Sequence, residues 1–446
     1  MKNKFLLLIL FSIGVLQAQD KKETYSFTLQ QAIDYAIQNN YSAINANRDI
    51  EIAKLKKWET TTIGLPQIDG SLGYQDNFKL QKSLIPAEFF GGMPGDFIPV
   101  AFGTKHNMNA NLTLSQLIFN GSYLVGLQSA KTYLKISENA KIKTNQELKE
   151  MVVNAYGNVL LADESITILQ KNKTILEKTL SDTRQIFKNG FIEEENVEQL
   201  QITLASVNSA YQNVQRQKNI ALDLLKLLLG IKLEETVTLT DKLSNLSEKN
   251  IDLALLKEEF NFSNTIDYQI GKNIEESNRL LLKLEKSKAL PSLGAKINVG
   301  TNTFGNNFTM FNSNQKWFDY SNIAIGLNVP IFSSFARSSR TQQAKIDLEK
   351  AKTDLLQTEQ KLKLQFEKAK SDYEFSIEQL NTVKNSLTLA ERIENKNQIK
   401  FKEGLTSSFD LTEAQRQLYA SQQNYLQAML DVINKRASLE KIISKK

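Results

Sequence analysis

The chain carries one long pattern twice. Phe187-Lys188-Asn189-Gly190-Phe191 and Phe401-Lys402-Glu403-Gly404-Leu405 open two stretches that then keep step without a gap. Asn196 aligns with Asp410, Gln201 with Gln415, Leu204 with Leu418, Tyr211 with Tyr425 and Leu225 with Leu439. Upstream, Leu117-Ile118-Phe119-Asn120 aligns with Pro330-Ile331-Phe332-Ser333, and Leu65-Pro66 with Leu290-Pro291. A repeat of this length constrains the fold more than any single motif, because both halves must form the same supersecondary unit. Each unit reads helix, strand, loop, strand, long helix, glycine turn, long helix. The 446 residues, which by length alone suggest two or three domains, are therefore read as two halves of one fold.

Composition removes several function classes. There is no cysteine, so disulfides, thiolate metal sites and a lipid-carrying N-terminal cysteine are all excluded. One histidine leaves almost nothing for transition-metal ligation, and no cofactor motif is present. The net charge is +6, but the basic residues are interspersed with acidic ones along helical stretches. That pattern reads as solvated helix faces and not as a nucleic-acid surface. No nucleophile–base set or phosphate-binding glycine loop occurs, so an enzyme is not expected.

The N-terminus has the form of a cleaved secretory signal, residues 1–18. Lys2 and Lys4 supply the charged region, Phe5 to Leu16 the apolar one and Leu16-Gln17-Ala18 the cleavage site. No other stretch has roughly 18 uncharged apolar residues, so no transmembrane helix is expected.

Beyond it, Thr28 and Gln31 form a capping box before a helix. A break is expected at Asn39-Asn40, with helix resuming to Trp58. Four of the six prolines then fall between Gly64 and Gly121. Within that span Ile68, Gly70, Leu72 and Tyr74 alternate with polar residues, as do Met108, Ala110, Leu112 and Leu114. In the second half, Leu293, Ala295, Ile297 and Val299 alternate in the same way, as do Ile323, Ile325, Leu327 and Val329. Period two predicts strands near 66–78, 106–119, 291–304 and 319–332. The segment between the first two, rich in Pro, Gly and Phe, is expected as loop. Proline is then absent from Gly121 to Leu290 and from Ser333 onward. Leu348, Ala351, Leu355, Leu362, Phe366, Ala369, Tyr373 and Ile377 continue to Ala390 at coiled-coil steps. Long helical hairpins are expected over 121–230 and 334–443, with a belt after 231. The first repeat thus runs 19–230, and the belt and second repeat 231–446.

Four strands with one apolar and one polar side fit either a soluble sandwich or a membrane barrel. Their length approaches the roughly 9–11 residues that cross a bilayer. Tyr74, Phe78, Trp317, Phe318 and Tyr320 lie near strand ends, where an interfacial aromatic girdle would sit. Four strands cannot close, and open edges are not tolerated in lipid, so a barrel requires several chains. Three chains supply twelve strands and leave a lumen.

In the order and spacing of these elements the chain resembles the TolC family of outer-membrane efflux proteins, over essentially the whole mature length. The resemblance is carried by Phe401-Lys402-Glu403-Gly404-Leu405, Asp410-Leu411, Gln415, Leu418, Tyr425 and Leu439, by their first-repeat partners, and by the strand exits at Ile118 and Ile331. It implies a fold of α-helices with a membrane β-barrel: a homotrimer whose chains give four strands each to a 12-stranded barrel, continued by a coiled-coil periplasmic tunnel. It implies a passive exit duct of a tripartite efflux or type I secretion system in the outer membrane of a Gram-negative bacterium, with the helices in the periplasm. The partners implied are a periplasmic adaptor (membrane fusion protein), an inner-membrane transporter and outer-membrane lipid, with no nucleic acid. Gly190, Phe191, Gly404 and Leu405 fall on the adaptor-contact tips. Asp410 and Glu413 fall on the two acidic positions of the periplasmic constriction, and Phe401 and Thr406 stand where the family has a closing tyrosine and a basic residue.

Simpler roles are open to the same residues. Asp410 can be an N-cap with Glu413 completing a capping box. Gly190 and Gly404 permit positive φ, and Glu193–Glu195 suit a helix start. His106 reads as a polar surface residue. The competing reading of the whole chain is a soluble periplasmic coiled-coil scaffold or adaptor protein.

Overall fold

The computed structural model describes residues 24–444, and the expected signal segment, 1–18, lies outside them. The described residues begin with β1 (Thr24–Phe27), α1 (Leu29–Asn39) and α2 (Tyr41–Thr62). Thr28 caps α1, and Gln31 closes the capping box onto the Thr28 backbone. The break at Asn39-Asn40 is a joint held by one side chain. Asn40 leaves the helical region at φ −63°, ψ 138°. Its Oδ1 accepts the Ser42 N–H at 2.8 Å, and its Nδ2 donates to the Leu228 carbonyl at 2.8 Å.

Next come β2 (Gln67–Asp76), β3 (Lys82–Pro86), β4 (Phe97–Ala101) and β5 (His106–Asn120). A helical hairpin follows, α3 (Gly121–Lys188) and α4 (Glu194–Leu229), then β6 (Thr236–Leu239) and α5 (Leu243–Lys249). The second repeat supplies α6 (Ile266–Ser287), β7 (Ser292–Gly305), β8 (Phe318–Asn328), α7 (Ala336–Lys402) and α8 (Ser408–Ile443). With 68 and 67 residues, α3 and α7 are each about 100 Å long.

The contacts form two compact units, and neither is a sequence repeat. Of the described residues, one comprises those up to Asn45, Ile142–Thr265 and those from Leu362; the other comprises Ala46–Lys141 and Ile266–Lys361. Each unit therefore draws matched pieces from both repeats.

The first unit is helical, with its main core around Tyr156, Leu225, Leu229, Tyr373, Val432 and Ile433. Coiled-coil spacing puts the apolar residues of α7 on one stripe, and within this unit Leu362, Phe366, Ala369, Tyr373, Val383 and Ala390 of that stripe are buried. Tyr156 is fully buried, with its hydroxyl 2.9 Å from Asp241 Oδ2 and 3.0 Å from the Phe27 carbonyl. The Tyr373 hydroxyl donates to the Asn250 carbonyl at 2.6 Å and accepts the Asp252 N–H at 2.8 Å. These phenols tie the belt segment to the helices. The parallel ribbon β1–β6 is a pairing that four-residue strands are too short to announce by periodicity. Gly230 ends α4 at φ 74°, where an added Cβ would lie 2.2 Å from the Asn39 carbonyl oxygen. Only glycine fits both the conformation and the space.

The second unit holds a four-stranded antiparallel sheet in the order β2-β5-β7-β8. Its register sets Ile68, Leu114, Ile297 and Ile323 side by side on one face. The opposite face carries the row Asp69, Thr113, Asn298 and Asn322. There the Thr113 hydroxyl donates to Asn298 Oδ1 at 2.8 Å, and Asn298 Nδ2 donates to Asn322 Oδ1 at 2.9 Å. One face is apolar and exposed, the other a polar ladder. β2 and β8 are edge strands with no further partner among the described residues.

Four expectations change. The last strand ends at Asn328 and does not reach 332. Pro330 has no N–H to give a ladder, and Ser334 and Phe335 turn the chain at φ 48° and 63°. Its repeat partner Leu117 has an N–H, and β5 runs on to Asn120 through a bulge. The loop between the first strands contains the hairpin β3–β4. Pro86 and Pro99 hid it from pattern reading, yet both are tolerated because a two-stranded ribbon is all edge. Phe318 and Tyr320 lie on the polar face, paired with Asn302 and Gly300, so they are not part of an outer girdle.

His106 is buried, not a surface residue. It lies on the apolar face, where the segment after β7 folds back over it. The Phe308 ring meets both Tyr74 and His106 edge-on, and Met310 is buried. The Tyr74 hydroxyl is 2.9 Å from His106 Nδ1, with an Asp76 carboxylate oxygen at 3.6 Å.

Candidate functional site

The two glycine turns, both in the helical unit, repeat one another bond for bond. In the first, the Gly190 N–H donates to the Phe187 carbonyl at 2.8 Å and the Phe191 N–H to that of Ile186 at 3.2 Å. In the second, Gly404 donates to Phe401 at 3.1 Å and Leu405 to Lys400 at 2.8 Å. Gly190 has φ 80° and Gly404 φ 71°. This is the left-handed closure that satisfies the last carbonyls of a helix. A Cβ at either glycine would meet nothing within 4 Å, so backbone conformation selects glycine here. Each closure throws the next side chain outward. Phe191 is 80% exposed, Leu405 76% and Phe409 65%.

The helices that leave the turns start differently. Glu193 stands at the N-cap of α4 without a side-chain cap bond, and Glu194 and Glu195 occupy its first turn. In α8 the N-cap is Ser407, not Asp410. Asp410 sits three residues on and completes the capping box. Its Oδ2 accepts from the hydroxyls of Thr406 and Ser407, both at 2.8 Å, and from the Ser407 N–H at 3.3 Å. The hydrogen bond from Thr406, then those from Ser407, hold the Asp410 carboxyl below the usual aspartate range. Glu413 takes no part in capping and pairs with Arg416 at 2.5 Å. Asp410 and Glu413 are one turn apart on α8, and both are exposed.

The hairpins are linked where they end. Asn196 Oδ1 accepts the Ser408 N–H at 3.2 Å. Phe401 is partly buried against the cluster of Leu169, Leu176, Leu180, Val197 and Leu200. Behind it, Glu394 on α7 lies near Gln415 and Tyr419 on α8. Burial pushes the Glu394 carboxyl above its ordinary range, opposed by Gln415 and Lys402. Burial, with Glu394 adding to it, pushes the Tyr419 phenol up.

The residues that the resemblance assigns to the tips, the constriction and the closing contacts therefore all lie at or next to the two turns. Asn196, Ser407 and Glu394 were not singled out for these roles. Signals for two of them existed. Ser407-Ser408-Phe409-Asp410 has capping-box spacing, and Glu394 continues the apolar stripe Val383, Leu387, Ala390. The Asn196–Ser408 contact joins segments 212 residues apart and has no local signal. Among the described residues no cluster of metal ligands occurs, and no helix is long and apolar enough to cross a membrane.

A sheet with one exposed apolar face and a chain with two long helical hairpins are the elements of an outer-membrane efflux channel, and the family match agrees. The family described as outer membrane efflux protein matches residues 62–231 and 277–445, one span in each repeat. This chain belongs to that family. The outer membrane protein TolC of Vibrio cholerae is 23% identical over 331 residues, 73% of this chain and 74% of the relative. A structure of CusC, from a study of folding and transmembrane channel formation, aligns with a TM-score of 0.74 at 16% identity, covering 94% of this chain and 92% of CusC. The outer membrane protein VceC of Vibrio cholerae aligns at 0.71 with 15% identity, covering 94% of this chain and 96% of VceC.

Proposed function

We propose that the protein is the passive exit duct of a tripartite efflux or type I secretion system. Three copies close one twelve-stranded barrel through the free edges of β2 and β8, and the long hairpins continue it as a tunnel. The observation that carries this reading is a four-stranded sheet with an exposed apolar face and two unpaired edges. Such edges are untenable in lipid unless another copy pairs with them. The polar ladder of Thr113, Asn298 and Asn322 would then line water. The turns, with Gly190, Phe191, Gly404 and Leu405, would meet a periplasmic adaptor that couples the duct to an inner-membrane transporter. Asp410 and Glu413 from three chains would form acidic rings that favour cations.

The test is the native mass of the full chain extracted in mild detergent from outer membranes. A mass of three chains is expected. A monomer released without detergent would overturn the duct and return the chain to a soluble scaffold.

A further inference from the structure

The polar face of the sheet carries two charges in its strands, Asp69 on β2 and Lys296 on β7. Lys296 stands in the row Gln67, Ser115, Lys296, Ala324. On one flank its neighbours on that face are small, with Gly294 and Gly326 one step away on their strands, while Asn298 stands on the other flank. A Cβ on Gly326 would meet nothing within 4 Å, and one on Gly294 only the Gln116 carbonyl oxygen at 3.6 Å. The missing side chains leave a concavity of about 720 Å³ over the sheet, walled by Ile63, Leu117 and Tyr123 and lined by no carboxylate.

Among the described residues no carboxylate pairs with Lys296. Asp69 is two strands away and in the next row, so strand spacing sets their Cα atoms about 12 Å apart. An unpaired ammonium beside an apolar wall attracts an anion more strongly than one in open water, because the wall lowers the local dielectric. The apolar wall in turn rewards a ligand with a hydrophobic body.

We propose that this concavity binds an amphiphilic monoanion. Its sulfonate or carboxylate head lies on the Lys296 ammonium and its apolar body against Ile63, Leu117 and Tyr123. The proposal rests on the duct reading for its meaning, since that reading makes the polar face a lumen wall. Its chemistry needs only residues of one chain.

The experiment is calorimetric titration of naphthalenesulfonate into the detergent-solubilised full chain, with naphthalenemethanol as the uncharged control. The sulfonate is expected to bind more tightly than the alcohol. Lys296→Gln should weaken sulfonate binding about fivefold and leave the alcohol unchanged, while Lys296→Arg restores it. Gly326→Leu, which fills the open space, should weaken both ligands. Equal sulfonate affinity in the native chain and Lys296→Gln, or equal affinity for sulfonate and alcohol, would overturn the proposal. Native mass is measured on the same samples. A trimer with no Lys296 effect removes the anion site and leaves the duct. A monomer that still shows the Lys296 effect removes the duct and leaves the site.

Discussion

The side chain of Asn196 on α4 accepts the backbone N–H of Ser408 at the start of α8, at 3.2 Å. That N–H is one of the orphan donors every helix start presents, and Ser408 is buried, so water does not readily replace the bond. The repeat partner of Asn196 is Asp410, which serves its own helix. Two equivalent positions have thus divided the work, one joining the hairpins and the other capping. Asn196→Ala should cost about 1 kcal/mol and speed hydrogen exchange at the Ser408 amide. Unchanged exchange there would mean that the link carries no stability.

Asp410 gives a prediction with a defined sign. Its carboxyl is held below the usual aspartate range by Thr406 and Ser407. Its contribution to stability is therefore present above the unfolded value, about 3.9, and is lost as pH falls through the lower folded value. A carbon-detected NMR titration of Asp410 should show the depressed midpoint, and Ser407→Ala should move it upward. The paired change Asp410→Asn, Glu413→Gln keeps side-chain acceptors near the cap while removing both charges. In planar bilayers it should reduce cation preference, and unchanged selectivity would take both residues out of the conducting path.

At the turns the prediction separates strain from space. Gly190 and Gly404 have positive φ but open surroundings. Gly404→Ala should therefore cost about 1–2 kcal/mol, the left-handed penalty of a Cβ, without a steric surcharge. Gly404→Asn should cost less, since asparagine tolerates that region. Melting temperatures of the two variants decide the matter. An alanine variant as stable as the native chain would mean that the turn relaxes to another conformation.

Those turns were legible in the sequence because a glycine at a fixed place in a repeated frame has few uses. The four membrane strands were legible too, since alternation over eight or more residues leaves one choice of face. Pro330 marked a strand end, but an apolar run through Val329 and Ile331 outweighed it in pattern reading. The side of the sheet on which Tyr320 lies was open to counting: it keeps step with Asn322, not with Ile323. The buried setting of His106 depends on Phe308 and Met310 folding back over the sheet, and the bridge from Asn196 depends on where α8 begins. Neither is written in local spacing.

Glu394 supplies the last prediction, from a comparison of the two repeats. The equivalent position in the first repeat is Leu180, buried in the cluster against which Phe401 packs. Glu394 thus occupies a position that faces a core, and burial raises its pKa above the ordinary glutamate range. A raised pKa means that its contribution to stability is fully present below the unfolded value, about 4.3. It is lost as pH rises through the folded value, because the charged form must then be kept partly out of water. Glu394→Gln removes that ionisation and keeps the shape. The variant should melt near the native temperature in mild acid and above it at neutral pH, with the gap opening as pH rises. A gap that stays constant across that range would mean that Glu394 ionises as freely as in the unfolded chain and that burial does not raise its pKa.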